Sequence, residues 1–259
     1  MDPQLGTAQG ARRASSTSLI GYMKIARVDH WIKNVFVLHG ILVAVSIDRS
    51  VINANLLWNV LLGLAAVCLI ASSNYVINEI LDAPSDRMHP TKKSRPVPAS
   101  EINATWGYVE WIVLMLAGMF VSLLISIKFS IVMAALWVMG CIYNIPPVRS
   151  KDVPYLDVLS EAVNNPLRML AGWYLTLTAL VAPAYLLISY WMVGCYFMAI
   201  KRFAEYRDIA DARRSAAYRK SFAHYTEGRL MVSIMFYGTC AMLLFGAFLM
   251  RYRMELILR

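Results

Sequence analysis

Long hydrophobic segments constrain the fold of this 259-residue chain more than any other feature. Most of them approach the about 20 residues that a helix needs to cross a hydrocarbon core of about 30 Å. Because backbone polar groups in lipid must pair within the chain, such segments are expected to be helical. The sequence therefore predicts an all-α, polytopic transmembrane helix bundle. We count seven segments, at residues 34–47, 56–77, 107–127, 130–146, 157–181, 183–200 and 230–250.

The composition of the chain supports this prediction. The chain is 59% hydrophobic and only 16% charged, whereas a soluble domain contains about 25% charged residues. Residues 1–18 are polar and rich in small side chains, which is typical of disorder, and we interpret them as a cytoplasmic leader. Residues 19–259 contain no boundary that would divide the bundle, so we expect a single transmembrane domain.

The net charge of +9 raises the question of a nucleic-acid partner. Most of the 25 lysines and arginines fall in the N-terminal segment and in alternate loops, which lie on the same side of a membrane. The positive-inside rule makes that side cytoplasmic. We therefore expect an integral protein of a bacterial inner membrane, with a cytoplasmic N-terminus and no nucleic-acid partner.

A first polar motif follows the second hydrophobic segment. Asn78, Asp82 and Asp86 recur at four-residue intervals, and Pro84 predicts that the helix ends near Ala83 and leaves Asp86 in the following loop. Carboxylates at a helix C-terminus oppose the macrodipole, so a compensating cation is needed. Mg²⁺ is one candidate, since proteins usually hold it with one or two carboxylates plus substrate phosphates.

A solvated loop is the alternative interpretation of this motif. In that case Asp82 and Asp86 would pair with Arg87 and Lys92, which follow closely in the sequence. Surface ion pairs of this kind are common and contribute little to stability. The motif alone leaves both interpretations open.

A second polar motif opens the fifth hydrophobic segment. Asp157, Glu161, Asn165 and Arg168 follow one another at steps of four, four and three, which predicts that they share one face of a helix. Ionisable residues inside a membrane helix are energetically costly and indicate function by default. The alternative is an internal Glu161–Arg168 ion pair that only holds helices together.

Both motifs are predicted to lie at the cytoplasmic end of the bundle. Together they supply three or four carboxylates, enough to hold one or two Mg²⁺ ions over a diphosphate. Lysine and arginine side chains near them suit phosphate oxygens. The basic stretch 201–229 has the apolar spacing of an amphipathic helix on the membrane surface, where attraction to anionic lipid explains most of its charge. In the functional interpretation, Lys201 and Arg202 also turn inward to an anionic substrate.

These motifs resemble those of the UbiA superfamily of intramembrane prenyltransferases. The similarity rests on the NxxxDxxxD pattern after helix two, the acidic pair that opens helix five and the YNxPP turn between them. Other stretches are similar to the decaprenyl-phosphate phosphoribosyltransferase branch of that superfamily. These are RVDHWIKNVFVL at 27–38, DRMHPTKKSRP at 86–96, PLRMLAG at 166–172 and KRFAEYRD at 201–208.

The resemblance implies a fold of usually nine helices around a central cavity open to lipid, so the tail after Arg251 would begin a further helix. It also implies that Asp82, Asp86, Asp157 and Glu161 bind Mg²⁺, and we expect the three aspartates to be catalytic. The residues expected to bind substrate are Asn78, Lys92, Lys93, Arg95, Asn165, Arg168, Lys201 and Arg202.

The function that we favour from the sequence is a Mg²⁺-dependent transfer to or from a polyprenyl lipid in the membrane, with release of diphosphate. In the branch interpretation, phosphoribosyl diphosphate is the donor and a polyprenyl phosphate is the acceptor. The alternative is prenyl transfer from a polyprenyl diphosphate to an aromatic or other small acceptor. A lipid transporter or a non-catalytic membrane protein is the second alternative, although a transporter would be expected to show two related halves with discontinuous helices.

Overall fold

The computed structural model describes residues 19–87, 91–209 and 220–252, and within these ranges the chain forms helices joined by turns and loops. The leader 1–18 and the further helix expected after Arg251 lie largely or wholly outside the described residues. The nine α-helices of the described ranges are α1 (Leu19–Ile25), α2 (Phe36–Ile47), α3 (Leu56–Asp86), α4 (Ala104–Leu123), α5 (Ile127–Asn144), α6 (Leu156–Ala162), α7 (Asn164–Leu175), α8 (Ala184–Ile209) and α9 (Glu227–Tyr252).

Six stretches of the described chain are long and apolar enough to cross a membrane. They are the continuous stretch 19–47, in which a 3-10 helix at Val28–Val35 joins α1 to α2, and the helices α3, α4, α5, α8 and α9. Helices pair their backbone N–H and C=O groups internally, which is necessary because lipid offers these groups no hydrogen-bond partners. The prediction of an all-α, polytopic bundle is confirmed.

The fifth predicted segment is two short helices rather than one. Helix α6 ends at Ala162, Val163 forms a one-residue turn, and α7 begins at Asn164. Pro166 explains the break, because it has no N–H to donate to the carbonyl of Ala162. The prediction that both halves of the second motif share one continuous helix is therefore wrong: Asp157 and Glu161 belong to α6, whereas Asn165 and Arg168 belong to α7.

Helix α3 continues through Pro84, so the predicted end near Ala83 is also wrong. Pro84 lies in the last turn, where it removes one hydrogen bond and little helix remains beyond it. The N–H of Arg87 still donates to the carbonyl of Ala83 at 3.1 Å. Asp86 is thus on the same helix as the rest of the first motif rather than in a loop.

Close backbone contact between α2 and α7 holds the centre of the bundle. A Cβ atom added at Gly40 would lie 1.8 Å from the carbonyl oxygen of Met169, and one added at Gly172 would lie 1.8 Å from that of Val37. Small residues let membrane helices approach in this way. Side chains of α2, α3, α5 and α7 then form the main apolar core, which includes Val37, Ile70, Met133, Leu136 and Leu175.

Helix α8 is longer than predicted, and α9 packs mainly against it. The segment 201–209, expected as part of a surface helix, is the last part of α8 instead. Residues 210–219, the centre of that predicted surface helix, lie outside the described residues. The outer face of α9 exposes apolar side chains such as Met235, Phe236 and Met242, as expected for a helix in contact with lipid.

Candidate active site

Asp82 of the first motif is held by two cations from the turn after α5. The Arg149 guanidinium donates to Asp82 Oδ1 at 2.9 Å, and the Lys151 ammonium donates to the same oxygen at 2.5 Å. Both cations come from a segment 67–69 residues away in sequence. The alternative interpretation expected Arg87 and Lys92 in this role, so the tertiary contact replaces the local one.

Asp86 pairs with a predicted phosphate-binding residue. Arg95 Nη1 lies 2.7 Å from Asp86 Oδ2, which folds the loop after α3 back onto the helix. Lys92 and Lys93 form a short 3-10 helix with Ser94 in this loop. Lys93 is exposed and Lys92 is half-buried, so the loop presents cationic side chains next to the first motif.

Two asparagines extend the first motif to α5. The Asn78 amide donates to Asn144 Oδ1 at 2.7 Å, and the Lys151 ammonium donates to the same oxygen at 2.9 Å. Asn144 is buried and is the last residue of α5. Asn144, Arg149 and Lys151 were not among the predicted site residues. The YNxPP turn was the available signal, since it contains Asn144 and directly precedes the other two.

Asp157 of the second motif has no exposed surface. Its Oδ2 accepts from Arg202 Nε at 2.9 Å and from the Ser221 hydroxyl at 3.2 Å, and its Oδ1 accepts from the Tyr225 hydroxyl at 2.6 Å. Burial, followed by the adjacent Asp157 carboxylate, raises the pKa of Tyr225. Both oxygens of this predicted metal ligand are thus engaged by protein groups.

Glu161, one turn further along α6, has a side chain that is 30% exposed. Its Oε2 accepts from Arg202 Nη2 at 2.8 Å and from the Tyr143 hydroxyl at 2.8 Å. Arg202 also reaches Glu205 at 3.0 Å and is itself completely buried. The ion-pair partner of Glu161 is therefore Arg202 of α8, whereas the alternative interpretation expected Arg168.

Tyr143 joins the two motifs into one site. The Lys151 ammonium lies 5.8 Å from the centre of the Tyr143 ring, within the range of a cation–π contact. The same Lys151 binds Asp82, and the Tyr143 hydroxyl binds Glu161. The structure thus links the motifs that the sequence placed at one end of the bundle.

A second group of cations lies beside these motifs. Arg168 Nε donates to Asn34 Oδ1 at 3.0 Å, in the 3-10 helix that precedes α2. Lys33 lies within electrostatic range of both Arg168 and Lys201, and Lys201 is exposed. Asn165, the remaining predicted residue, packs against α8, where a Cβ atom added at Gly194 would lie 2.5 Å from its amide nitrogen.

The oxygen donors of the site fit Mg²⁺ in chemical type. Within the described part of the chain, no three His, Cys, Asp or Glu side chains form a group ready to hold a metal. Mg²⁺ does not require such a cage, because it keeps several waters and is usually held by one or two carboxylates plus substrate phosphates. The partly exposed Asp82 and Glu161 meet that description better than the fully buried Asp157.

Comparisons with known proteins agree with the motifs. A family model described as the UbiA prenyltransferase family matches residues 35–258. A decaprenyl-phosphate phosphoribosyltransferase of Mycolicibacterium smegmatis is 31% identical over 216 residues, which are 81% of this chain and 64% of the relative. The protein of the same name in Mycobacterium tuberculosis is 29% identical over 227 residues, which are 87% of this chain and 72% of the relative.

The fold itself matches a solved structure. A UbiA homolog from Archaeoglobus fulgidus, bound to DMAPP and Mg²⁺, superposes with a TM-score of 0.75 at 19% identity and covers 91% of this chain and 80% of that chain. At this identity the comparison shows a common fold and nothing finer. The resemblance inferred from the motifs is confirmed.

Proposed function

Because the chain belongs to the UbiA prenyltransferase family, we propose that it is a membrane-embedded transferase that moves a phosphoribosyl group from phosphoribosyl diphosphate to a polyprenyl phosphate. Diphosphate is the leaving group, and Mg²⁺ is the cofactor. The relatives from Mycolicibacterium smegmatis and Mycobacterium tuberculosis carry the name of this activity. The proposal rests on two separate groups of cations. Both substrates bear phosphates, so each group can bind one of them.

The first cation group suits the donor diphosphate. Arg149 and Lys151 already hold the Asp82 carboxylate, and Arg95 holds the Asp86 carboxylate. The Arg149 and Arg95 side chains are partly exposed, and cations of this kind exchange partners at small cost. Phosphate oxygens can therefore take over some of these N–H donors when Mg²⁺ engages the carboxylates. Lys92 and Lys93 add positive charge at the edge of this group.

The second cation group suits the acceptor phosphate. Lys33, Arg168 and Lys201 bring three positive charges together, and Arg168 makes its shortest contact with a neutral amide, that of Asn34. A phosphate dianion matches this charge better than the single carboxylate of an aromatic acid. The group therefore favours a polyprenyl phosphate over an aromatic acceptor.

The proposed reaction needs no general base. An oxygen of the acceptor phosphate attacks the anomeric carbon of the ribose, a C–O bond forms, and the bond from that carbon to the diphosphate breaks with its electron pair. A phosphate dianion carries no proton on the attacking oxygen. This fits a site in which Asp82, Asp157 and Glu161 are all ion-paired. Prenylation of an aromatic ring would also require removal of a ring proton.

The carboxylates divide into two roles in this proposal. Asp82, Asp86 and Glu161 would hold Mg²⁺, with Asn78 orienting the first of them through Asn144 and Lys151. Bound there, Mg²⁺ would neutralise the charge of the departing diphosphate. Asp157 is assigned to positioning, because it holds the Arg202 side chain that faces Glu161.

The decisive experiment compares two substrate pairs with the purified protein in nanodiscs containing Mg²⁺. One reaction contains phosphoribosyl diphosphate labelled in the ribose and a polyprenyl phosphate. The other contains a polyprenyl diphosphate and a labelled aromatic acid. We expect label in the lipid fraction only in the first reaction, and an Asp82→Asn control should abolish it. Label only in the second reaction would establish prenyl transfer instead, and label in neither would contradict both activities.

A further inference from the structure

A crevice of about 430 Å³ lies between the start of α6 and the first three turns of α9. Tyr155 forms one wall, and Val232, Phe236 and Tyr237 of α9 form the other, with Arg229 among the polar lining residues. Most of the lining surface is apolar. None of its lining residues belongs to the two acidic motifs or to the cation groups of the active site.

Arg229 gives the crevice a fixed positive charge. Its Nη1 donates to the carbonyl oxygen of His224 at 2.8 Å, which orients the guanidinium, and its other N–H donors have no hydrogen-bond partner among the described residues. The side chain is exposed and forms no ion pair with a carboxylate of the described residues. A single cation on a rigid support is suited to a phosphate monoanion.

The apolar wall continues from this charge along α9. Val232 is 69% exposed and Phe236 is 60% exposed, although both are large apolar side chains. From Arg229 to Phe236 the helix rises by about 10 Å, at 1.5 Å per residue. A molecule that fits this surface has a phosphate at one end and a hydrocarbon chain at the other.

We propose that this crevice binds one anionic phospholipid of the surrounding membrane. Its phosphate contacts Arg229, and the first carbons of an acyl chain lie along Val232 and Phe236. The occupant is a bulk phospholipid rather than the polyprenyl substrate because one cation matches one phosphodiester charge. The reacting phosphate of the acceptor belongs with the three cations Lys33, Arg168 and Lys201.

The crevice also has a connection to the active site through its Tyr155 wall. Tyr155 has a positive φ of 65°, a conformation that is strained for a non-glycine residue. Its N–H donates to the Tyr225 hydroxyl at 2.7 Å, and that hydroxyl donates to Asp157. A lipid packed on the Tyr155 ring would hold this turn in place, so removal of the lipid should loosen the support of Asp157.

Lipid retention provides the direct test. Protein delipidated in detergent is titrated with phosphatidylglycerol or phosphatidylcholine and measured by native mass spectrometry and by its thermal unfolding midpoint. We expect one phosphatidylglycerol per chain to be retained at least tenfold better than phosphatidylcholine and to raise the midpoint. Arg229→Gln should remove this selectivity. Lys24→Gln, which removes an exposed cation of α1 outside the crevice, should leave it unchanged. Equal losses in the two variants would overturn the site.

A steric variant and two further ligands separate the possible sources of the phosphate. Val232→Trp should fill the crevice and reduce phosphatidylglycerol retention without a change of charge. Glycerol phosphate, which has no acyl chain, should not reproduce the midpoint shift, and a shift of the same size would overturn the assignment to a lipid. An Arg229-dependent shift with polyprenyl phosphate but not with phosphatidylglycerol would assign the crevice to the acceptor and would also overturn the proposal.

Discussion

The two acidic motifs differ in how they are held, although both are neutralised by cations. Asp82 of the first motif has a side chain that is 22% exposed, and its partner Arg149 is also 22% exposed, although its other partner, Lys151, is buried. Asp157 of the second motif and its partner Arg202 are both completely buried. The Asp82–Arg149 pair is thus open to exchange, whereas the Asp157–Arg202 pair is closed.

This difference assigns distinct roles to carboxylates that look alike in the sequence. Partly exposed ion pairs contribute little, so a metal ion or a phosphate can replace one partner easily. Breaking a buried pair leaves an uncompensated charge and destabilises the fold strongly. We therefore infer that Asp82 exchanges partners during the reaction, while Asp157 and Arg202 form a fixed support for Glu161.

The strongest test of this contrast removes Arg202. Arg202→Met should destabilise the protein by about 3–5 kcal/mol, because Asp157 and Glu161 lose their buried cation. Thermal and denaturant unfolding in detergent measure the change. Arg207→Met is the matched control on the same helix, since Arg207 is 63% exposed, and it should change stability by less than about 0.5 kcal/mol. Similar losses in both variants would contradict the distinction between open and closed pairs.

Asp82→Asn should have the opposite profile, with a loss of activity and an intact fold. Loss of a carboxylate that supports the leaving group should lower turnover by about 10²–10³-fold. The unfolding midpoint should stay close to that of the unmodified protein, since Arg149 keeps its ion pair with Asp152 and Lys151 keeps its hydrogen bond to Asn144. Asp48→Asn, at the far end of α2, is the control that should retain full activity. Full activity of Asp82→Asn would remove Asp82 from the site.

Tyr225→Phe tests the buried Asp157 with a smaller perturbation, because it removes one hydrogen bond and no charge. The change leaves Asp157 Oδ1 and the Tyr155 N–H without their shared partner, which should cost about 1–3 kcal/mol of stability. Tyr22→Phe is the control, because the Tyr22 hydroxyl makes only a long contact of 3.5 Å with the carbonyl oxygen of Asn103. An unchanged midpoint for Tyr225→Phe would show that Asp157 does not depend on this bond.

The pH dependence of the same variant gives a second measurement. The pKa of Tyr225 is raised in the folded protein, so its stabilising contribution is present below the ordinary tyrosine pKa of about 10. As the pH rises above that value the unfolded phenol ionises first, and this contribution declines. The stability difference between the unmodified protein and Tyr225→Phe should therefore shrink at alkaline pH. A difference that grows with pH would contradict the assigned contact.

Lys93→Gln should have the smallest effect. Lys93 is exposed in the loop after α3, where it adds charge near the proposed donor site without holding a carboxylate of the motif. We expect a rise in the KM for phosphoribosyl diphosphate of no more than about threefold at low salt, which screening by added salt should diminish. A loss as large as that of Asp82→Asn would place Lys93 in direct contact with the reacting groups.

Several features of the site could not be predicted from the sequence because they depend on long-range contacts. Local spacing suggested Arg87 and Lys92 as partners of Asp82, but Arg149 and Lys151 reach it from the turn after α5. Helical spacing likewise placed Asp157, Asn165 and Arg168 on one face. That prediction failed because Pro166 interrupts the helix, which ends at Ala162 and begins again at Asn164.

The sequence by itself determined the membrane bundle, its family and the two acidic motifs. Hydrophobic length and motif spacing are local properties, and the physics of lipid leaves helices as the solution for such segments. Only the tertiary structure decided which acids are open and which are closed. Burial and ion pairing depend on which helices meet, and here α8 brings Arg202 to Asp157 while the turn after α5 brings Lys151 to Asp82.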